Sequence, residues 1–197
     1  NNTATYGSAA RLNRGGINFY NNTLWENDAS LFVRSSDHRI INNIVWDNDD
    51  HEFIRVNGSP TIEYNIVKNG YDGTGNISDD PQFYEPDNGD FRLTASSPAI
   101  DAGDPNSPYD PDGSIADMGA LPSPYGTPVP IVINVPTDYS TIQAALTAAG
   151  TNDTVLVQPG TYTENIIWPE TNGIKLISAG DSSNTIIDGG GISSVIY

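Results

Sequence analysis

The chain has 197 residues, enough for one or two ordinary domains, and carries 25 acidic against 8 basic residues, a formal net charge of −17. Such a surface repels phosphates, so we expect no nucleic-acid partner. No apolar run approaches the roughly 20 residues of a membrane span, so we expect no membrane insertion. Cysteine is absent and the only histidines are His38 and His51, which disfavours thiol chemistry, a histidine zinc site and a Ser–His triad.

A short phrase repeats in the first third of the chain. NNTLWEN at 21–27 is followed by NNIVWDN at 42–48 and by NIVKNG at 65–70, which places equivalent asparagines at Asn22, Asn43 and Asn65. A fixed period of this length is typical of a solenoid. Short β-branched runs separated by Asn, Asp, Gly and Ser predict strands and tight turns. We therefore predict an all-β parallel β-helix with coils of about 21–22 residues.

The repeated residues have structural interpretations. Asn tolerates the left-handed backbone of a sharp corner, and stacked Asn side chains can form a hydrogen-bonded ladder. Trp25 and Trp46 are predicted to lie one above the other on adjacent coils. They form either a structural aromatic stack or a sugar-binding platform, and both interpretations stay open.

Residues 70–122 are rich in turns and acids. The pattern DPQF…NGDFRLTASSPAIDAGDP…DPDGSIADMGA resembles the closing segment of bacterial right-handed parallel β-helix repeat proteins of the pectin-lyase-like superfold. The resemblance implies that residues 1–121 hold the C-terminal rungs and acidic cap of a right-handed β-helix. Four prolines within residues 122–130 then predict a stiff linker.

A second unit is predicted over residues 131–197. Ile142, Ala145, Leu146 and Ala149 follow helical spacing, and Ser140 with Gln143 fits a capping box, so a short α-helix is expected near 140–149. TIQAAL and VLVQPGTYTENI resemble the opening helix and first rung of the same superfold. The chain would thus contain the end of one β-helix followed by the start of another.

Two explanations fit this order of halves. The chain is a fragment of a longer repeat protein, or coils of one molecule stack head-to-tail on coils of the next, which would make the chain its own partner and a filament subunit.

The acidic segment contains one candidate metal site. Asp110, Asp112, Ser114 and Asp117 place oxygen ligands around an Asp-Gly turn, as at the start of a calcium loop. The twelfth position is Leu121 instead of an acid, so Asp101 and Asp104 would have to complete the ligand set. The alternative is an Asp-Gly turn in a solvated cap.

Catalytic residues are harder to find. Arg34 and Arg55 lie one predicted coil apart and could stand on one wall beside acids, as a lyase base or as ordinary surface charges. We therefore predict a non-catalytic, secreted or cell-surface β-solenoid with a structural or adhesive role. The alternative is a carbohydrate-active protein, either polyuronate lyase-like or a polysaccharide-binding module.

Overall fold

The computed structural model describes residues 9–27, 31–34, 37–48, 53–191 and 194–196, in two compact units, 1–127 and 128–197. Regular structure in the described part of the first unit consists of β1 Ala10–Leu12, β2 Asn18–Tyr20, β3 Thr23–Trp25, β4 Leu31–Arg34, β5 Arg39–Ile41, β6 Ile44–Trp46, β7 Phe53–Asn57, β8 Thr61–Glu63, β9 Ile66–Val67, β10 Phe83–Glu85 and β11 Asp90–Leu93, with a 3₁₀ turn at Pro86–Asn88. The second unit contains β12 Val132–Val135, α1 Ile142–Ala148, β13 Thr154–Val157, β14 Gly160–Thr163, β15 Lys175–Ser178 and β16 Thr185–Asp188.

The first nine strands form three stacked coils. Each strand pairs in parallel with its equivalent one coil later, in the orders β1-β4-β7, β2-β5-β8 and β3-β6-β9. Trp25 lies opposite Trp46 on the next coil, and Ile44 lies opposite Ile66 on the coil after that. The predicted all-β fold, the parallel coils and the period are therefore confirmed.

Each coil turns at corners built from two consecutive residues with different tasks. The first residue takes the left-handed backbone: Asn21, Asn42 and Tyr64 at one corner, with φ of 53°, 59° and 54°, and Glu26 and Asp47 at the other, with φ of 48° and 54°. The second residue is an asparagine whose side chain points inward: Asn22, Asn43, Asn65, Asn27 and Asn48. The repeated phrase thus encodes two successive corners. Each corner needs one residue that adopts the left-handed backbone and one side chain that bonds to the buried backbone amides.

The inward asparagines form hydrogen-bonded ladders. Asn43 is fully buried, and its Nδ2 lies 3.0 Å from the carbonyl oxygens of Phe19 and Ile41 and 2.9 Å from Oδ1 of Asn65. Its Oδ1 accepts from the backbone N–H of Asn22 at 3.0 Å and from Nδ2 of Asn22 at 2.9 Å. Asn65 bonds in the same way to Oδ1 of Asn76, which extends this ladder past the third coil.

Residues 83–127, hereafter the side cap, pack along the outer face of the β3-β6-β9 wall. Strands β10 and β11 form an antiparallel hairpin. Successive strand residues point to opposite faces, so Val45 lies in the coil interior while Ile44 is buried with Ala99 and Met118 of the side cap. The backbone N–H of Gly119 donates to the carbonyl of Asn42 at 2.8 Å. The acidic segment therefore covers a wall of the solenoid.

Part of the predicted linker belongs to the first unit. Within 122–130, the backbone N–H of Ser123 donates to Asp117 Oδ2 at 2.6 Å, and that of Thr127 donates to Asp101 Oδ2 at 2.8 Å. These bonds tie residues 123–127 to the side cap.

The second unit repeats the coil architecture. Its strands pair in parallel in the orders β12-β13-β15 and β14-β16. The predicted helix near 140–149 is confirmed as α1, which buries Ile142, Ala145 and Leu146 against the strands. Within the described residues, no helix has the length and apolar character needed to cross a bilayer.

The predicted capping box of this helix is wrong. Thr141, not Ser140, is the N-cap, and its Oγ1 accepts from the N–H of Ala144 at 3.2 Å. Two further helix amides, those of Ile142 and Gln143, donate to the carboxylate of Glu164 at 3.0 Å each. The acceptor comes from a neighbouring coil, which local sequence spacing does not register.

Arg34 and Arg55 lie on adjacent strands of one wall, β4 and β7, as predicted, but they are not directly opposite each other. The register pairs Arg34 with Asn57 and Arg55 with Phe32, because a shift after Leu31 adds one residue to this side of the third coil.

Candidate functional site

The acids predicted to bind calcium are used mainly as acceptors for the loops of the side cap. Asp117 is buried and accepts backbone N–H bonds from Asp101 at 2.9 Å and from Ser123 at 2.6 Å. Asp110 Oδ2 accepts the N–H of Asp117 at 2.8 Å. Asp112 Oδ1 accepts from the backbone N–H and the hydroxyl of Ser114 at 3.0 and 2.6 Å. These contacts are turn-stabilising bonds that fold the loop on itself.

The pKa values of these carboxyls shift in different directions. Burial, with repulsion from Asp110 and Asp101, raises the pKa of Asp117 to about 6. Burial also raises the pKa of Asp110. The hydroxyl of Ser114 lowers the pKa of Asp112 by hydrogen bonding to its charged form. The side cap therefore holds a proton-sensitive group at its centre.

These hydrogen bonds occupy some, but not all, of the carboxylate oxygens that a calcium ion would need as ligands. Two buried carboxylate oxygens, Asp101 Oδ1 and Asp112 Oδ2, have no hydrogen-bond partner. The backbone of Gly126 closes over the cluster, so that a Cβ there would lie 2.2 Å from Ser114 Oγ. Among the described residues, no three acidic or histidine side chains converge as metal ligands. Calcium at Asp110, Asp112, Ser114 and Asp117 stays a prediction.

The two tryptophans lie on the outer wall, one coil apart as predicted. The ring of Trp25 meets Phe83 edge-on at 5.7 Å and lies 6.1 Å from Phe91, so the β10–β11 hairpin covers it. Trp46 is half-buried, and the ammonium of Lys68 sits 5.8 Å over its ring. These contacts favour the structural stack over the sugar platform, which stays untested.

A cleft that the sequence did not reveal lies between the β2-β5 wall and the 104–110 loop of the side cap. It measures about 470 Å³ and is lined by Tyr20, Asn21, Arg39, Ile41, Asp104, Asn106, Ser107, Pro108, Tyr109, Asp110 and Ala116. Tyr20 and Tyr109 are exposed to 38% and 53%. The guanidinium of Arg39 lies 5.9 Å from the centre of the Tyr20 ring. Tyr20 ends strand β2 and Arg39 begins strand β5 of the same wall, but their partners come from a loop much later in the chain, so no local pattern could place them together.

The ladder corner fixes the wall of this cleft. Asn42 Oδ1 accepts from the backbone N–H of Asp104 at 2.7 Å, and Asn42 Nδ2 donates to Ser107 Oγ at 3.2 Å. Asp104 Oδ1 in turn accepts from the backbone N–H of Asn106 at 2.9 Å. The loop is therefore held to the solenoid by two hydrogen bonds to Asn42, which makes the cleft pre-formed.

No known protein family, curated protein or solved structure matches this chain significantly, so functional inference depends on the geometry described above.

Proposed function

We propose that this chain is a non-catalytic, secreted or cell-surface β-solenoid of the pectin-lyase-like type found in bacteria, with a structural or adhesive role. The observation that carries this proposal is the internal use of its polar side chains. Asn43 and Asn65 are fully buried in ladders, and Asp117 is buried in bonds to backbone amides. Polar groups used in this way hold a scaffold and are not themselves available for proton transfer.

The arginines give little support to a lyase. Arg92 is bound to Asp90, with its Nη2 2.6 Å from a carboxylate oxygen. The register does not pair Arg34 with Arg55. A lyase needs a base held beside a metal-bound carboxylate, and no described group of acids or histidines has that arrangement.

Self-association by coil stacking is part of the proposal. Among the described residues, strands β1, β2 and β3 are hydrogen-bonded along one side only. Asn43 Oδ1 accepts two hydrogen bonds from Asn22 on the preceding coil. Asn22 Oδ1 occupies the equivalent position one coil earlier. A second copy that stacks here would pair its strands with this edge.

Two measurements test the function. Incubation with polygalacturonate should yield no unsaturated product, and the appearance of such product with the purified chain would establish an enzyme instead. Sedimentation velocity over a concentration series, with negative-stain electron microscopy, should show end-to-end oligomers. A monomer at every concentration would refute the stacking while leaving the non-catalytic role intact.

A further inference from the structure

We propose that the cleft between the β2-β5 wall and the 104–110 loop binds an uncharged oligosaccharide. The inference goes beyond the scaffold role by giving the adhesive surface a ligand and a location. Its starting point is the pair of exposed aromatic side chains, Tyr20 and Tyr109, in one cleft of about 470 Å³. The apolar C–H faces of a sugar ring pack on aromatic rings, and a cleft of this size suits a small ligand.

The polar groups of the cleft suit the hydroxyls of a sugar. The side chains of Asn21 and Arg39 make no hydrogen bond or ion pair within the described residues, so their donors are available to a ligand. The position of Arg39 over the Tyr20 ring holds the guanidinium at the wall of the cleft. Unpaired donors beside an aromatic face can bind a hydroxylated ring by hydrogen bonds and stacking at once.

The site is pre-organised, which reduces the entropy lost on binding. The 104–110 loop is clamped by Asn42, whose own backbone is fixed at a coil corner with φ of 59°. Tyr20 ends strand β2, and Arg39 begins strand β5, the next strand of the same wall. Residues on a rigid wall and a clamped loop lose little freedom when a ligand arrives.

Charge selects a neutral ligand over an acidic one. Arg39, Asp104 and Asp110 all line the cleft, and the whole chain carries a net charge of −17. A polyanion such as oligogalacturonate would be attracted by the one arginine of the cleft but repelled by its two aspartates. A neutral glycan avoids this repulsion while keeping the contacts to Tyr20 and Tyr109.

The test uses the full chain, labelled with ¹⁵N and titrated with hexasaccharides of glucose, xylose, mannose and N-acetylglucosamine, and with hexagalacturonate. We expect at least one neutral hexasaccharide to shift the amides of Asn21, Arg39 and Tyr109. Tyr109→Ala and Arg39→Met should each weaken that binding by about tenfold or more.

The β10–β11 hairpin supplies a matched control. Tyr84 is exposed to 49%, and Arg92 lies 5.4 Å over its ring, but this pair lines no part of the cleft. Tyr84→Ala and Arg92→Met should therefore leave the affinity unchanged. The proposal is overturned if no neutral hexasaccharide binds at millimolar concentration, if hexagalacturonate binds more tightly, or if the hairpin variants weaken binding as much as the cleft variants. The lyase assay measures the formation of unsaturated product and the titration measures binding, so the two proposals fail separately.

Discussion

Replacing Asn43 by alanine removes one of the two most connected side chains of the ladder, the other being Asn65. Five contacts of 2.9–3.0 Å disappear, to Asn22, Asn65 and the carbonyls of Phe19 and Ile41. A hydrogen bond contributes about 1 kcal/mol net, and a buried group left without a partner costs about 1–3 kcal/mol. Water can reach the half-exposed Asn22, so not all five losses count in full. We expect Asn43→Ala to lower the unfolding free energy of the first unit by about 3–5 kcal/mol.

The matched control is Asn22→Ala, in the same ladder. Within the described residues its side chain donates only to Tyr20 O at 2.8 Å and to Asn43 Oδ1 at 2.9 Å, where water can substitute, so we expect a loss of about 1 kcal/mol. Urea unfolding is followed by tryptophan fluorescence in a Trp168→Phe background, where Trp25 and Trp46 report the first unit alone. Equal losses for the two variants, or a loss below about 1 kcal/mol for Asn43→Ala, would refute the ladder as a source of stability.

Three further predictions follow from the side cap and the helix. The unfolding free energy of the first unit should rise by on the order of 2 kcal/mol as the pH falls from about 7 to about 4. The reason is that the folded pKa of Asp117, about 6, lies above its ordinary value of 3.8. Urea unfolding at several pH values across this range measures the rise. Glu164→Ala should destabilise the second unit by about 1–2 kcal/mol through loss of two acceptors at the start of α1, measured by Trp168 fluorescence in a Trp25→Phe, Trp46→Phe background. Calcium bound at the side cap would raise the melting temperature, and a chelator would reverse the rise; a temperature that moves with neither contradicts the site.

The sign of the pH prediction follows from proton affinity. Folded Asp117 binds its proton more tightly than the unfolded chain does, so its ionisation destabilises the fold as the pH rises through about 6. Burial of Asp110 acts in the same direction, while the lowered pKa of Asp112 adds stability that is lost only in more acidic solution. Asp117→Asn should flatten the slope of unfolding free energy against pH between about pH 4 and pH 7, and an unchanged slope would contradict the assignment.

For the helix, Glu164→Gln keeps one acceptor oxygen and should lose less unfolding free energy than Glu164→Ala.

The sequence predicts most of the solenoid because its determinants are local and repeated. The Asn corners, the coil period and the pairing of Trp25 with Trp46 all follow from one spacing. What it misses depends on contacts between distant residues. The Glu164 carboxylate reaches α1 from the following coil, and Asn42 holds a loop that comes three coil lengths later in the chain. The one-residue shift in β7 cannot be read from the sequence either. Arg34 and Arg55 are one predicted coil length apart in the sequence, but the strand register does not pair them.

The ladder also has a direction. Asn22 donates to Asn43, Asn43 to Asn65 and Asn65 to Asn76, so the side-chain hydrogen bonds all run in one direction from coil to coil. Aligned hydrogen bonds polarise one another, so each added member strengthens its neighbours. A coil that joins ahead of Asn22 must present N–H donors to its Oδ1, whereas the opposite orientation sets acceptor against acceptor. If copies of the chain stack as proposed, the column would favour addition in one orientation and disfavour a reversed partner of the same shape.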